Sequence, residues 1–479
     1  MKYESKRVKI VATIGPASSS LSVIKSLIQK GVNVFRCNFS HGEHQTHAEN
    51  IRLIREASAK VDREVALLAD LQGPKIRTRL TEDNKSIHLK TGAIIHLTSR
   101  NVLCTNTIVA VDYKKIAEEV DAGQDILIND GAIRLTVTSK LPSGDLKGKV
   151  VSGGVFSSHK GVNFPNVNLS IPSLTIKDRK DLAFILNNDF QYIALSFVRK
   201  GKDVAILQKL VQKKRKDIKV IAKIEKPEAT DRIDEILKWS DGIMVARGDL
   251  GVEATPFIVP IMQKDLIQKA NNAGKIVIVA TQMLESMIEH ALPTRAESTD
   301  VANAIIDGSD AIMLSGETAM GAFPDGAVTT MKKIALETEK SVYIKHDMID
   351  LRTIERFPPH AICEAAVWAG RDLGGIPICV FTLSGSTAFY LAKLRYEAPV
   401  YAFSPDIQVV RMLALAWNIE PKYLPFARDI VQLHHDGEAL LVRSLKVRKS
   451  DLIGIISGTN AVRGATNSFR IKEVGMCDR

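Results

Sequence analysis

Eight short apolar runs recur along this chain, and helical patterns lie between most of them. Each run is rich in apolar residues, several of them β-branched, which is typical of a parallel strand buried on both faces. The runs occupy residues 9–15, 32–39, 65–71, 192–198, 219–225, 242–247, 275–282 and 311–316. Strands that alternate with helices in this number predict a closed (β/α)8 barrel, often called a TIM barrel. A doubly wound open sheet is the alternative, although such sheets more often contain fewer strands.

The stretch between the third and fourth runs, from about Gly73 to Ile171, lacks this alternation. It consists of short β-type runs separated by turn residues, and only residues 114–120 have a helical pattern. This composition predicts a small β domain inserted after the third barrel strand. Because the loops after barrel strands surround the barrel's carboxyl end, we expect the insert to be a mobile lid over that end.

After residue 341 the pattern changes again, and helical and strand-like stretches alternate from about Phe357 onward. We therefore predict a separate C-terminal α/β domain. The predicted domains are residues 1–71 (barrel, first part), 72–171 (inserted β lid), 172–345 (barrel, second part) and 346–479 (C-terminal α/β regulatory domain).

The net charge of +11 permits three interpretations: anionic substrates, nucleic-acid binding, or surface composition alone. The densest basic run, residues 213–216, lies near the end of a helical pattern, where a solvated helix terminus explains it. Aromatic residues make up 5% of the chain, which is few for platforms that stack bases. We therefore expect no nucleic-acid partner.

The five cysteines show no CxxC motif and no Cys/His ligand spacing, which predicts reduced thiols rather than disulfides or a zinc site. The opening segment has no apolar stretch of signal-peptide length. No stretch approaches the roughly 18 to 20 apolar residues that span a bilayer. These observations predict a cytoplasmic protein with no membrane partner.

Polar residues follow the predicted barrel strands at the end where all of them converge. Lys223 and Glu225 close the fifth run, and Arg247 and Asp249 follow the sixth. Two carboxylates from neighbouring strands, beside a Lys and an Arg, predict a divalent-metal site that holds an anionic substrate. A single Asp or Thr in such a place is more often a helix N-cap, but capping does not explain the whole set. The other strand-end residues are Arg36, Asn38, Ser40, Asp70, Ser196, Arg199, Thr281, Gln282, Ser315 and Glu317.

Several motifs match one enzyme family closely. They include KIVATIGPAS (9–18), VFRCNFSHG (34–42), AKIEKPEA (222–229), MVARGDLGVE (244–253) and the long, specific stretch from Ala280 to Gly321. On these motifs the chain resembles the pyruvate kinase family along essentially its full length. The resemblance implies a barrel, a lid and a C-terminal domain, and transfer of a phosphoryl group from phosphoenolpyruvate to ADP. The products would be pyruvate and ATP, in the last step of glycolysis.

The resemblance also implies roles for individual residues. Glu225 and Asp249 match the ligands of the divalent cation, and carboxylate oxygens suit Mg²⁺ or Mn²⁺. Lys223 would lie against the phosphoryl group in transit and Arg36 would bridge donor and acceptor phosphates, because this chemistry depends on neutralising charge. Protonation of the enolate of pyruvate is expected to involve Thr281 through a bound water, with Ser315 and Glu317 continuing the relay.

The substrate and nucleotide positions follow from the same resemblance. The backbone amides from Ala246 to Asp249 would receive the carboxylate of the substrate. Tight turn geometry is a second explanation for Gly248, and both can hold together. The expected substrate-binding residues are Ser196, Ala246, Arg247, Gly248, Asp249 and Thr281. The expected nucleotide-binding residues are Pro16, Asn38, His41, Arg77, Asp130 and Lys160, of which Arg77, Asp130 and Lys160 come from the lid.

One departure from the family pattern concerns potassium. Many members have DTKGPEIR where this chain has DLQGPKIR at residues 70–77, with Lys75 in place of Glu, and those members need K⁺. Asn38, Ser40 and Asp70 match the oxygen ligands of the monovalent-cation pocket. We expect the ammonium of Lys75 to replace the charge of K⁺, so that the enzyme does not require it. The alternative is that Lys75 is a solvated loop residue and K⁺ still binds.

The C-terminal domain contains a loop rich in hydroxyl groups at a strand-to-helix turn. Such a loop can hold a phosphate, but ordinary N-capping explains the same residues equally well. The loop resembles the family's effector site, which implies a phosphorylated allosteric activator, with residues 464–467 as possible contributors. The loop residues are Thr382, Ser384, Gly385, Ser386 and Thr387. The family is typically a homotetramer, so we expect the same assembly here.

Two other classes of function compete with an active pyruvate kinase. One is another phosphoenolpyruvate or enolate enzyme on the same barrel, such as a lyase or mutase; the other is a silent regulatory protein that keeps phosphate binding. The lid residues favour the kinase over the first, because a nucleotide must be clamped. Lys223, Glu225, Asp249 and Thr281 together argue against the second.

Overall fold

The computed structural model describes residues 6–167, 169–214, 217–344, 357–425, 427, 429–458 and 464–476. The chain begins with three parallel strands and two helices: β1 (Lys9–Thr13), α1 (Leu21–Lys30), β2 (Val34–Asn38), α2 (His44–Val61) and β3 (Ala66–Asp70). Helix α1 ends at Gly31, whose φ of 120° is unfavourable for residues with a Cβ and whose N–H bonds to the carbonyls of Leu27 and Ile28.

The inserted segment is mostly β structure, as predicted. Its elements are a 3-10 turn (Glu82–Asn84), β4 (Ile87–Leu89), β5 (Ile94–Thr98), β6 (Ile108–Ala110), α3 (Ile116–Glu119), β7 (Asp125–Ile128), β8 (Ile133–Lys140), β9 (Leu146–Ser152), β10 (Gly154–Phe156) and β11 (Val162–Asn163). Six strands form a sheet in the order β11-β7-β8-β9-β5-β6, and β10 pairs with β4. The insert has its own apolar core, separate from that of the barrel.

The chain then completes the barrel. The strands are β12 (Tyr192–Leu195), β13 (Lys219–Ile224), β14 (Gly242–Ala246), β15 (Ile276–Ala280) and β16 (Ala311–Leu314). The helices are α4 (Ile176–Ile185), α5 (Gly201–Lys214), α6 (Pro227–Asp231), α7 (Ile233–Trp239), α8 (Arg247–Glu253), α9 (Val259–Asn272), α10 (Arg295–Ile306), α11 (Gly316–Ala319) and α12 (Pro324–Glu339), with a 3-10 turn at Glu285–Ile288.

Eight parallel strands close in the order β1-β16-β15-β14-β13-β12-β3-β2. The predicted closed barrel is therefore confirmed, and the open sheet is excluded. Strands β14 and β15 are buried at every residue, because helices cover the outside and side chains fill the inside. The carboxyl end of the barrel, which we call the mouth, is the end nearest the insert; the opposite end is the base.

The last part of the chain is the predicted C-terminal α/β domain. Its elements are α13 (Pro358–Asp372), β17 (Ile378–Phe381), α14 (Ser386–Lys393), β18 (Val400–Ser404), α15 (Ile407–Leu413), β19 (Ile419–Tyr423), α16 (Ile430–Arg443), β20 (Leu452–Gly458) and β21 (Thr466–Glu473). The sheet order is β19-β18-β17-β20-β21, and β21 runs antiparallel to β20. The exact domain boundaries given above stay predictions.

Two smaller expectations concern cysteines and membranes. Cys37, Cys104, Cys363 and Cys379 are buried and form no disulfide, whereas Cys477 lies outside the described residues. Two residues of the basic run, at 215 and 216, also lie outside them. Across the ranges that the structure describes, no helix combines the length and apolarity needed to cross a membrane.

Candidate active site at the barrel mouth

The barrel register brings the predicted residues together at the mouth. Asn38 and Asp70 are direct partners at the ends of β2 and β3. Lys223, on β13, pairs with Met244 on the neighbouring strand β14, and β14 in turn pairs with β15. Because parallel strands in a barrel end at the same face, these side chains surround one opening.

Lys223 lies at the centre of the polar cluster. Its Nζ is 2.8 Å from Glu225 Oε1 and 3.4 Å from Asp70 Oδ1. It also donates a hydrogen bond of 2.9 Å to Ser196 Oγ, which in turn donates to the carbonyl of Leu71. Burial by itself would lower the pKa of Lys223, but the charges of Asp70 and Glu225 raise that pKa above its ordinary value. Lys223 is therefore a permanent cation at neutral pH.

Arg36 is the second cation of the mouth. Its Nε and Nη2 lie 2.7 Å and 2.6 Å from Asp70 Oδ2, and its Nη1 donates to Thr13 Oγ1 over 3.0 Å. Burial would raise the pKa of Asp70, but Lys223 and Arg36 together lower it below its usual value. Asp70 is thus an ionised carboxylate shared between two cations.

Glu225 and Asp249 form the predicted pair of carboxylates. Glu225 is 1% exposed, and its Oε2 accepts a hydrogen bond of 2.6 Å from the backbone N–H of Phe197. Burial raises the pKa of Glu225, and the charge of Asp249 raises it further although Lys223 opposes both. Asp249 lies in the first turn of α8. The two carboxylates disfavour each other's charge, and a divalent cation between them would remove that cost.

The two carboxylates, Glu225 and Asp249, fit a divalent cation whose remaining ligands come from water and substrate. In the described ranges, no group of three or more His, Cys, Asp or Glu side chains is placed to hold a metal by itself. Mg²⁺ is commonly held by one or two carboxylates, completed by water and by phosphate oxygens. Two carboxylates beside an opening lined by Lys223 and Arg36 are suited to that mode, whereas a structural zinc site would need four ligands.

The turn after β14 is held by the turn after β15. The backbone N–H of Gly248 donates 2.8 Å to Thr281 Oγ1, and that hydroxyl donates 2.6 Å to the carbonyl of Ala280. Thr281 has φ of 71°, a strained conformation for a β-branched residue. The guanidinium of Arg247 contacts Asp300 at 2.6 Å and donates to the carbonyl of Thr281 at 2.6 Å.

Ser315 and Glu317 lie after β16. Glu317 Oε2 accepts a hydrogen bond of 2.7 Å from the N–H of Ser315, and Oε1 accepts one of 3.1 Å from the N–H of Leu284. Burial raises the pKa of Glu317 although these backbone hydrogen bonds lower it. Within the described residues, no hydrogen bond joins Thr281 directly to Ser315 or Glu317.

Comparison with known proteins decides the family. The model of the pyruvate kinase barrel domain matches residues 5–328, and that of the pyruvate kinase alpha/beta domain matches residues 360–472. The chain belongs to the pyruvate kinase family. It is a transferase, a kinase that transfers a phosphoryl group, as predicted.

Individual relatives agree with the family models. "Pyruvate kinase 2" of Synechocystis sp. is 43% identical over 472 residues, covering 98% of this chain and 79% of that protein. A "Pyruvate kinase" of Geobacillus stearothermophilus is 42% identical, covering 97% of this chain and 80% of its own. A "Pyruvate kinase" of Corynebacterium efficiens is 40% identical and covers 98% of both chains.

In this pyruvate kinase family member, the expected nucleotide residues of the lid lie near one another. The N–H of Lys160 donates to Thr78 Oγ1, and Arg77 forms a β-bridge with Gly161. A Cβ on Gly161 would lie 3.7 Å from Asp130 Oδ1. These contacts bring Arg77, Asp130 and Lys160 into one part of the lid.

The barrel side of the expected nucleotide site consists of three residues: Asn38 at the end of β2, and the exposed His41 after β2 and Pro16 after β1. Burial lowers the pKa of His41, and the positive charges of Arg77 and Lys75 lower it further. His41 therefore lies within electrostatic reach of the lid. No described contact joins Pro16 to the lid residues.

The three expected ligands of the monovalent-cation pocket, Asn38, Ser40 and Asp70, are near one another. Asn38 Oδ1 accepts a hydrogen bond of 3.1 Å from the N–H of Ser40, and Asn38 is the register partner of Asp70. Lys75 does not pair with Asp70 here. Its Cε lies 3.2 Å from the position of a Cβ on Gly161, on the lid side of the opening.

The hydroxyl-rich loop of the C-terminal domain is an ordered turn before α14. Thr382 Oγ1 accepts from the N–H of Gly385, whose φ is 82°. The hydroxyls of Ser384 and Ser386 lie 3.0 Å apart. Thr387 is buried and its Oγ1 lies 2.9 Å from Thr466 Oγ1, which joins the loop to the closing segment. The N-cap residue of α14 is Gly385 and no side chain caps the helix, so N-capping does not account for these hydroxyls, and phosphate binding stays a prediction.

Sequence reasoning missed three groups that shape the mouth. Thr13 contacts Arg36, and its place at the end of β1 was a usable signal because other strand-end polar residues had been selected. Asp300, which holds Arg247, comes from the middle of α10 and has no local signal. The N–H of Phe197, which donates to Glu225, is a backbone group, so no side-chain motif predicts it.

Proposed function

We propose that this chain transfers the phosphoryl group of phosphoenolpyruvate to ADP, producing pyruvate and ATP. The main supporting observation is the position of Lys223, a largely enclosed permanent cation held between Asp70 and Glu225 at the mouth. Phosphoryl transfer needs positioned positive charge more than covalent help. A preorganised ammonium in a partly dry site supplies that charge without reorganisation during the reaction.

Glu225 and Asp249 are proposed to hold the divalent cation, Mg²⁺ or Mn²⁺. When bound, the ion would neutralise phosphate and enolate oxygens. Lys223 then faces the phosphoryl group in transit, while Arg36 lies across the mouth where donor and acceptor phosphates would meet. Asp70 keeps both cations in place through contacts of 2.6 Å and 3.4 Å. The arrangement favours a loose, charge-separated transition state.

The substrate carboxylate is proposed to bind the amides between Ala246 and Asp249, with Ser196 beside it. One of these amides, that of Gly248, donates to Thr281 Oγ1, so substrate would compete with that hydrogen bond. Thr281 is suited to hold a water near the enolate, because its hydroxyl lies at the turn. A threonine hydroxyl is itself a poor acid. We propose that Ser315 and Glu317 support this relay through water molecules.

The nucleotide is proposed to bind between Pro16, Asn38 and His41 of the barrel and Arg77, Asp130 and Lys160 of the lid. The positive charges of Arg77 and Lys160 suit the phosphates of ADP or ATP. Closure of the lid would exclude water from the transfer step.

We propose that K⁺ is not required. Asp70 already has Arg36 and Lys223 within ion-pair distance, which leaves it little unbalanced negative charge for a monovalent cation. Lys75 forms no hydrogen bond or ion pair with the described residues, so its ammonium is available to the mouth. Activity with K⁺ replaced by a bulky quaternary ammonium tests the proposal. The native chain should keep most of its activity without K⁺, whereas the activity of Lys75→Glu should depend on K⁺. Near-complete loss of activity in the native chain would contradict the proposal.

A phosphorylated metabolite is proposed to activate the enzyme at the loop of residues 382–387. The partly exposed hydroxyls of Ser384 and Ser386 near the start of α14 support the proposal. A homotetramer is proposed as the assembly that transmits the signal, and the cytoplasm as its location. Screening phosphorylated sugars and AMP on the native chain and on Ser384→Ala/Ser386→Ala tests the site. Activation retained in the double variant would refute it.

A coupled assay tests the reaction itself. Pyruvate formation from phosphoenolpyruvate should require both ADP and Mg²⁺. Turnover of phosphoenolpyruvate without ADP would favour a lyase or mutase instead. Phosphate binding with no turnover of any kind would favour a silent regulatory protein.

A further inference from the structure

A polar triad of two buried residues, Asn163 and Glu253, and the partly buried Lys226 links the lid to the barrel. Glu253 Oε1 accepts a hydrogen bond of 2.9 Å from Asn163 Nδ2, and Glu253 Oε2 lies 3.1 Å from Lys226 Nζ. Glu253 is 4% exposed and Asn163 is 9% exposed. Both carboxylate oxygens of Glu253 thus have a partner, as a buried charge requires.

The three members come from three separate parts of the chain that meet at the mouth. Asn163 lies on the lid strand β11. Lys226 directly follows Glu225 after β13, and Glu253 is the last residue of α8, four positions after Asp249. One carboxylate therefore contacts the lid and also the segments that hold Glu225 and Asp249.

We infer that Glu253 is a positioning residue that sets the separation of Glu225 and Asp249 and couples it to lid closure. The inference rests on the proposed role of those two carboxylates as metal ligands. Groups that orient metal ligands without touching the ion commonly change metal affinity when they are altered. Glu253 restrains the end of α8 through Lys226, so it fixes the helix whose first turn contains Asp249.

Contacts between the lid and the end of α8 couple Glu253 to lid closure. A Cβ on Gly131, in a lid turn, would lie 3.9 Å from the Val252 side chain, next to Glu253. A cavity lies under the two connections between lid and barrel, and the triad forms part of its wall beside Lys75 and Phe164. When the lid opens, Asn163 leaves and one oxygen of Glu253 loses its partner. Closure therefore restores a charge-assisted hydrogen bond that also stiffens α8.

The experiment uses the full-length protein and two measurements that do not depend on turnover. The first is the dissociation constant of Mn²⁺, by electron paramagnetic resonance without substrate. The second is hydrogen–deuterium exchange of backbone amides at residues 160–167. Glu253→Gln keeps an acceptor for Asn163 but removes the charge that holds Lys226. The matched control is Glu235→Gln on α7, where Glu235 pairs with Arg232 at the exposed surface.

We expect Glu253→Gln to weaken Mn²⁺ binding about tenfold. Asn163→Ala should speed exchange at residues 160–167 and weaken Mn²⁺ binding about threefold. Because both changes act through one triad, the double variant should weaken Mn²⁺ binding relative to the native chain by less than the product of the two separate factors. If Glu253→Gln fails to fold, Lys226→Met should weaken Mn²⁺ binding by a similar factor.

The outcomes separate this inference from the proposed function. Glu225→Gln and Asp249→Asn should abolish Mn²⁺ binding, and normal binding in both would refute the metal assignment. If they do abolish it while Glu253→Gln matches Glu235→Gln within about twofold, the positioning role is overturned and the proposed function stands. Unchanged exchange in Asn163→Ala would overturn the coupling to the lid.

Discussion

Lys223 at the barrel mouth and Lys393 at the base are lysines that contact a carboxylate, with side chains that are 12% and 4% exposed. The pKa of Lys223 is raised above its ordinary value, whereas the pKa of Lys393 is lowered from 10.5 to about 8. Burial lowers the pKa of both, so the number of nearby charges decides the result. Lys223 has two carboxylates, Asp70 and Glu225, within 3.4 Å. Lys393 has Asp310 alone at 2.5 Å and shares it with Arg395 at 3.1 Å.

The difference separates a site for reaction from a site for assembly. At the mouth, the carboxylates of Asp70 and Glu225 flank Lys223, and Asp249 lies close enough for its charge to act on Glu225, so a divalent cation between Glu225 and Asp249 would be favoured. At the base, two cations share one carboxylate, and the remaining hydrogen bonds go to Asn271 and the carbonyl of Gly308. The base cluster joins the C-terminal domain to the barrel.

The largest expected effect comes from removing the mouth cation. Lys223→Met should lower kcat for pyruvate formation by about 10³-fold or more, because the phosphoryl group would lose its preorganised positive charge. Lys219→Met on the same strand is the control, since Lys219 contacts Asp241 away from the mouth. Steady-state kinetics and circular dichroism measure both variants. Near-normal turnover in Lys223→Met would refute its proposed role.

Removing the base carboxylate should affect folding instead. Asp310→Asn leaves Lys393 and Arg395 buried without their counter-ion, which should lower the free energy of unfolding by about 3 to 5 kcal/mol. Asp325→Asn is the control, because its pair with Lys30 is exposed and should cost under about 1 kcal/mol. Urea denaturation measures the stability, and kcat per folded molecule should not change. A loss of kcat without a loss of stability would contradict the assignment of the base to assembly.

The barrel could be predicted because its signals are local. Each strand is one buried run, and the polar residue that ends it, such as Asp70 or Glu225, lies at the mouth by the geometry of the fold. The lid could be predicted for the same reason, since its short strands interrupt the alternation. Two strands of the C-terminal sheet, β19 and β21, have no such signal. Polar and charged residues in IEPKY and TNSFRIKE obscure the strand pattern.

The base cluster could not be predicted, because its members are distant in sequence. Lys393 and Asp310 are 83 residues apart, and no sequence motif contains both. Only docking of α14 against the barrel brings them together. The triad of Asn163, Lys226 and Glu253 escaped for the same reason, although Lys226 and Glu253 lie inside motifs quoted for other residues.

The smallest expected effect is the pH dependence of stability, which differs between Lys223 and Lys393. Lys393 has its pKa lowered from 10.5 to about 8, so between these values the unfolded chain binds more protons than the folded chain. Stability relative to Lys393→Met should therefore rise with pH across this window, by at most about 3 kcal/mol. The raised pKa of Lys223 has the opposite sign, and its contribution stays constant until the pH exceeds 10.5. Urea unfolding of both chains from pH 7 to 10 measures the difference, and a flat difference would mean that Lys393 keeps its proton as firmly as Lys223 does.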